Sequence, residues 1–259
     1  MDKALRGKIS AGLWRLFILA LTAAIWEVLA FYKLIDTFYF SKPSSIIYDF
    51  YELFSSGIIF IHIWITIQAT IAGLLLGSIF GISMAFIMGR FEIVGKIFDP
   101  IIVALYGIPK LALGPLFILW FGLGIKSKIF LAFIWVFFIM YFNAYGGFKN
   151  VEKRLVNSAV VMGANSFQVF CKVVIPSSVP WIMTGLKAGI GVALLGAIVG
   201  EYIGSAAGLG YLVQYAGNMF NTTRVFSTIL VMTLIMTVLN EGVKYLEKTV
   251  LRWRPEIHQ

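Results

Sequence analysis

The sequence has little charge, almost no histidine and a single cysteine. Of its 259 residues only 13% are Asp, Glu, Lys or Arg, against about 25% in soluble domains. With 60% of residues hydrophobic and a mean hydropathy of +0.91, a soluble fold would leave much apolar area in water. The composition is that of a polytopic membrane protein. The lone Cys171 excludes an internal disulfide and, near Phe170 and Val173, reads as a small packing residue. His62 lies in an apolar run and His258 on the tail, which excludes a histidine-based metal cluster. No Ser/His/Asp set has its partners in one place, so no catalytic or metal residue is assigned. The net charge of +9 is spread along the chain and follows membrane topology rather than a nucleic-acid face.

A nucleotide site is missing too. The stretch "GRFEIVGKI" at 89–97 resembles a phosphate loop only superficially. Five residues separate Gly89 from Gly95 where four are needed, and Ile97 stands where magnesium requires Ser or Thr. At the N-terminus, "MDKALRGKISAGLWRLF" is basic and then apolar without a small-residue cleavage site, so a retained first span is expected.

What is present is long apolar runs. A helix needs about 20 mostly apolar residues to cross the hydrocarbon core. Six stretches qualify: Leu16–Ile35, Thr66–Met88, Ile97–Phe121, Ile129–Phe148, Met183–Ile203 and Val225–Lys248. "PSSIIYDFYELFSSG" before the second reads as an amphipathic surface helix. With the N-terminus inside, fifteen Lys and Arg fall on inner segments, among them Arg15, Arg90, Lys96, Lys149, Lys172, Lys187 and Arg252. Five fall outside: Lys33, Lys42, Lys126, Lys128 and Arg224. The expectation is that both termini are cytoplasmic.

Small residues recur at every fourth position of the second span, at Ala69, Gly73, Gly77, Gly81, Ala85 and Gly89. The fifth span carries two such rows, Gly185, Gly189, Ala193, Ala197 and Gly196, Gly200, Gly204, Gly208. Such faces let backbones approach in lipid. Tight packing inside the bundle and sliding during a transport cycle are both compatible with them.

The third span holds Pro109, Lys110 and Pro115 close together. Prolines free helix carbonyls, and a mid-span lysine costs about 2.5–3.5 kcal/mol on insertion scales. One reading is a broken helix lining a translocation pathway; the other is a kink with Lys110 reaching an acidic partner such as Glu201. Glu27 and Glu201 are the remaining candidates for buried charge. "YIGSAAGLGYL" after Glu201 reads as an irregular segment bending back to the bundle.

Between the fourth and fifth spans lies "NSAVVMGANSFQVFCKVVIPSSVP". As helix it lines up Val156, Val160, Gly163, Phe167, Phe170 and Val174 in one apolar stripe. Gly163 can end a first helix, Asn165 or Ser166 can cap a second, and Pro176 and Pro180 mark the turn into the fifth span. A docking knob and an amphipathic interfacial loop both fit this periodicity.

The stretch resembles the cytoplasmic coupling loop of ATP-binding cassette importer permeases: Glu-Ala-Ala, three residues, Gly, nine residues, then Ile-x-Leu-Pro. Here Asn157, Ser158 and Ala159 hold the first positions, Gly163 follows after three, and Val173, Ile175 and Pro176 come nine later. Asn157 replaces the acidic residue and Ser158 the first alanine. The acidic side chain that could form a salt bridge is therefore missing, while the fold of the knob is unaffected. "IWEVLA", "PSSIIYDFYEL", "IPKLALGPLFILWFGLGIKSK", "GANSFQVFCKVVIPSSVPWIMTGLKAGIG" and "GEYIGSAAGLGYLV" are similar to the nitrate/sulfonate/taurine branch.

The resemblance implies an all-α polytopic membrane protein of type I importer architecture. Residues 1–259 would form one permease domain of about six spans, with a coupling loop at 149–180. It implies coupling residues Asn157, Ser158, Ala159, Gly163, Ala164, Asn165, Ser166, Phe167 and Pro176. Pro109, Lys110, Pro115 and Glu201 would lie on the pathway, and Gly73, Gly77, Gly81, Gly189, Gly196 and Gly200 would pack helices. Lys110, as a branch feature, would say little about cargo. The implied partners are two ATPase subunits carrying ATP and magnesium, an extracytoplasmic substrate-binding protein, membrane lipid and a second permease copy in a homodimer. No cofactor is expected on this chain, and its place would be the cell inner membrane. The cargo would be a small anion, a sulfonate or a vitamin-precursor-like compound. A self-sufficient channel or ion-coupled carrier is the rival reading, and it would call for more intramembrane carboxylates.

Overall fold

The computed structural model describes residues 2–253, with side chains from residue 12 onward. Arg254 and His258, and the side chains of Lys3, Arg6 and Lys8, lie outside the described residues. Within them the chain is helical, without a strand: α1 (Asp2–Phe31), α2 (Thr37–Phe40), α3 (Pro43–Ser55), α4 (Ile59–Arg90), α5 (Glu92–Tyr106), α6 (Gly114–Phe121), α7 (Ile125–Lys149), α8 (Lys153–Val161), α9 (Ser166–Val169), α10 (Ile175–Ile203), α11 (Leu209–Asn218) and α12 (Thr222–Val250). Five helical runs are long and apolar enough to cross a membrane: Gly12–Phe31, α4, α7, Ser166–Ile203 and α12. A sixth candidate is a pair, α5 and the run Lys110–Phe121, bent by 80°.

The bend has a local cause. α5 stops at Gly107, and Pro109 disfavours helical backbone at Ile108 and cannot donate a hydrogen bond. Pro109 is extended, at φ −67° and ψ 96°, and a 3₁₀ turn at Lys110–Leu113 leads into α6. Pro115 sits in the first turn of α6, where no backbone donor is missed.

Pro176 and Pro180 behave otherwise than expected. They do not mark a turn; both lie within α10, and the helical run is continuous from Ser166 to Ile203. The reason lies just upstream. Phe170–Val174 forms a π turn in which Ile175 N donates to Phe170 O, so the wider helix has no carbonyl pressed against the Pro176 ring.

The chain divides into two compact units. The first runs up to Phe60 and includes Leu212–Met232. In it, the buried side of α3 presents Ile46, Asp49 and Leu53. Arg224 of α12 clamps Asp49, with Nε at 2.9 Å from both carboxylate oxygens and an Nη at 2.8 Å, and Ser227 Oγ donates to the same carboxylate. Glu27 of α1 accepts from Ser44 N at 2.9 Å and Ser44 Oγ at 2.7 Å. Glu27 is thus tied to the start of α3. Elsewhere α1 exposes apolar side chains along its length, from Leu13 and Trp14 to Val28 and Phe31, as a helix facing lipid does.

The second unit runs from Ile61 to Tyr211 and resumes at Thr233. Its centre is α7, whose Leu131, Ala132, Val136, Met140, Tyr141 and Ala144 are buried. The bare row of α4 packs on one side of it. A Cβ added at Gly77 would fall 2.6 Å from Val136 Cβ, and one at Gly81 2.6 Å from Phe137 O. α10 packs on another side, where a Cβ added at Gly196 would fall 2.7 Å from Ala132 Cα and one at Gly185 2.9 Å from Asn143 Cβ. Glycine here is a condition of helix contact. Lys187, within α10, pairs with Glu247 of α12 at 2.5 Å.

Candidate functional site

The segment after α7 forms a helix–turn–helix knob. α8 buries no residue, and its end is a Schellman turn. Gly163 N donates to Val160 O at 2.9 Å and Ala164 N to Ala159 O at 3.0 Å. This closure needs a left-handed residue, and Gly163 supplies it at φ +85°. Asn165 then caps α9 in a capping box. Its side chain accepts from Gln168 N at 2.9 Å, and Gln168 Oε1 accepts from Asn165 N at 2.9 Å. Asn165 is the cap, and Ser166 is the first helical residue.

The apolar stripe read from the sequence is split at this turn. Phe170 packs against Phe86 and Phe148, and Val174 against the same core. Val160 and Phe167 instead face out, because the chain reverses at Gly163 and helical phase does not carry across it. The outward tip is strongly apolar: Val161 is 88% exposed, Met162 84% and Phe167 67%. Asn157 and Ser158 are exposed on α8, Ala159 and Ala164 are half-buried around the turn, and Pro176 is exposed on α10.

The two charges of the pathway reading do not meet. Lys110 Nζ donates to Tyr106 O at 2.6 Å and lies over the rings of Tyr106 and Phe138 at 4.3 and 4.9 Å. The sequence alternative that pairs Lys110 with Glu201 is therefore corrected. The 80° bend turns the lysine back onto its own preceding helix and its aromatic neighbours. Pro109 and Pro115 flank it as described, and Gly114 packs against Ile203.

Glu201 is instead the centre of a buried latch. It is fully inaccessible, and both its oxygens accept from Thr66 Oγ1, at 2.8 and 2.9 Å. Gly210 N donates to it at 2.8 Å, Leu209 N donates to Thr66 Oγ1 at 2.9 Å, and Gly208 N donates to His62 Nδ1 at 3.0 Å. Three successive backbone amides thus bind residues of α4 and α10. The chain after α10 bends back and is fastened at the start of α11. Lys128 lies beneath, 1% exposed, donating to Gly204 O at 2.5 Å and to Leu123 O.

Several of these residues escaped the sequence reading. Lys128 was expected on an outer segment, but it sits inside α7 against the bare backbone of Gly200, whose added Cβ would lie 3.2 Å from Lys128 Cα. The four-residue spacing of Gly200 and Gly204 was the available signal. Asp99 was not singled out, yet Tyr141 Oη donates to it at 3.1 Å and Lys149 lies 3.9 Å away. Glu27 has Ser44 as partner, in the same unit. Thr66 and the Asp49–Arg224 clamp carried no local signal.

Residues 73–252 match the family described as "Binding-protein-dependent transport system inner membrane component". The chain is 33% identical, over 92% of its length and 87% of the relative's, to the putative aliphatic sulfonates transport permease protein SsuC of Bacillus subtilis. It is also 33% identical to the formylaminopyrimidine transport permease protein ThiX of Halalkalibacterium halodurans, over 92% of this chain and 94% of that one. Among solved structures, an inward-facing MetNI methionine ABC transporter superposes with a TM-score of 0.65 at 16% identity. It covers 75% of this chain and 98% of that chain.

Proposed function

The chain belongs to the family of binding-protein-dependent transport system inner membrane components, and we propose how it serves as the permease of such an importer. It is the transmembrane component of an ABC importer; hydrolysis is the work of other subunits. In our reading two copies form the pathway, two ATPase subunits holding ATP and magnesium grip the knobs, and an external binding protein delivers cargo. The knob and both termini then face the cytoplasm, where the excess of Lys and Arg lies.

One observation carries this reading: the outward apolar tip at Val161, Met162 and Phe167. Burying each such side chain in a partner groove contributes about 1.5–3 kcal/mol, enough together to anchor a docking contact. The knob is also well braced, by the Schellman turn on one side and the capping box on the other. A grip on it can therefore pass force to α7 and α10. ATP binding drives transport in this scheme only through contacts that differ between two states.

The relatives that transport aliphatic sulfonates and formylaminopyrimidine favour a small anionic or vitamin-precursor-like cargo here as well. The test is co-expression with the partner ATPase. Phe167→Asp and Ala159→Asp are expected to lower ATPase retention and substrate uptake at least tenfold, while the variants still insert in the membrane. Gly163→Val is expected to insert and to uncouple hydrolysis from uptake. Normal uptake by well-expressed variants, or labelling of a cysteine at Asn165 only from the external side, would overturn the assignment.

A further inference from the structure

The first unit carries an open cavity of about 760 Å³ at the end of α1. This volume lies within the range of small-molecule sites, about 300–1,000 Å³. Its walls carry two carboxylates, Glu27 and Asp36, and two ammonium groups, Lys33 and Lys42. No ion pair within 4.0 Å holds either lysine among the described residues.

The carboxylates are fixed in place. Glu27 is tied by both oxygens to Ser44, and Asp36 caps α2 by accepting from Phe38 N at 2.9 Å. Ser41 is 2% exposed and its hydroxyl is 2.8 Å from that of Thr223, so the polar floor is positioned as well. One wall is apolar, formed by Ala30, Phe31 and Ile35. The cavity therefore lies where the apolar span of α1 ends, at the level of an interface.

A simple anion would face two fixed carboxylates, and a simple cation two lysines. A molecule with both charges satisfies both sets. We infer that this cavity binds a zwitterion carrying an ammonium group and a phosphate, with Glu27 and Asp36 receiving the ammonium and Lys33, Lys42 and Ser45 the phosphate. Two sources share this chemistry: the headgroup of an ethanolamine phospholipid, and free phosphoethanolamine. The inference is independent of what the importer carries.

The test uses the purified full-length chain in detergent. One arm measures phosphatidylethanolamine against phosphatidylglycerol by native mass spectrometry. The other titrates free phosphoethanolamine against inorganic phosphate. Preference for the zwitterion in either arm is expected, and the arm that responds identifies the source. Lys33→Gln with Lys42→Gln should weaken that binding about tenfold, and Asp36→Asn about threefold; the latter keeps the helix cap and stands in should the double variant not fold. Lys126→Gln should leave it unchanged. The inference is overturned if phosphatidylglycerol and inorganic phosphate bind as well as the zwitterions, if no zwitterion binds, or if the folded variants bind as the parent does.

Discussion

Replacing Gly208 by alanine is the most direct probe of the Glu201 latch. Gly208 has φ +116°, where an L-residue costs about 1–2 kcal/mol. The new Cβ would also land on the Glu201 carboxyl carbon and crowd both its oxygens, 2.6 Å away. That carboxylate cannot retreat freely, since Thr66 Oγ1 and Gly210 N hold it in a site closed to water. Each hydrogen bond to a charged group contributes about 1.5–3 kcal/mol, and leaving a buried charge without partners costs about 3–5 kcal/mol. Partial relaxation keeps the expected loss at about 3–5 kcal/mol. For a chain of this size, 1 kcal/mol corresponds to about 2–4 °C, so the detergent-solubilised variant should melt roughly 6–20 °C below the parent. Thermal unfolding followed by tryptophan fluorescence reads this. Gly217→Ala, where an added Cβ meets nothing within 4 Å, is the control and should melt at the parent's temperature or up to about 4 °C above it. If Gly208→Ala melts within 2 °C of the parent, roughly the shift of 1 kcal/mol or less, the latch does not hold this chain together.

Two other contacts allow equally concrete tests. Asp49→Asn should cost about 2 kcal/mol, since it leaves the half-buried Arg224 with only Glu52, 3.8 Å away, as counter-charge; a double-mutant cycle with Arg224→Gln should show coupling above about 1 kcal/mol, and additivity would refute the clamp. Gly81→Leu should abolish accumulation of folded protein, because α4 and α7 touch at backbone distance there. Gly191→Ala, whose nearest neighbour is the flexible end of Met236 at 3.4 Å, should accumulate normally; equal yields of the two would argue against glycine-dependent packing.

Much of this was legible in one dimension. Apolar runs gave the spans because lipid demands about 20 apolar residues per crossing. The helix–turn–helix of the knob was legible because a helix end and a cap are local devices, written in Gly163 and in the Asn165–Ser166 pair. The break at Pro109 was local as well. Pairings between spans were not legible. Lys110 and Glu201 looked like partners as the two conspicuous charges of apolar runs, yet each is satisfied by groups that no periodicity announces: an aromatic cage for one, Thr66 and backbone amides for the other. Lys128 looked like a loop residue beside Lys126. α7 begins at Ile125, so helical phase turns Lys128 inward and Lys126 outward. Pro176 misled for a related reason, since the π turn before it absorbs what a regular α-helix could not.

The glycine rows had left tight packing and sliding both open, and the contacts in this structure are those of tight packing. At Gly77 the side chain of Val136 occupies the space a Cβ would fill, and at Gly196 the Ala132 backbone does. A smooth face pressed on a smooth face could slide; a face whose gaps are filled by the partner's side chains cannot shift by a residue without collision. Along α10 these contacts lie between two fastened points, the Asn165 cap before Ser166 and the Glu201 latch. The helical run that carries both, Ser166–Ile203, is 38 residues, about 57 Å at 1.5 Å per residue, longer than the roughly 30 Å hydrocarbon core. A displacement at the knob therefore has a stiff rod to act on, and α7 must follow it. The 80° break before Lys110, where neither α5 nor α6 is continuous with the other, is the place where the backbone can flex.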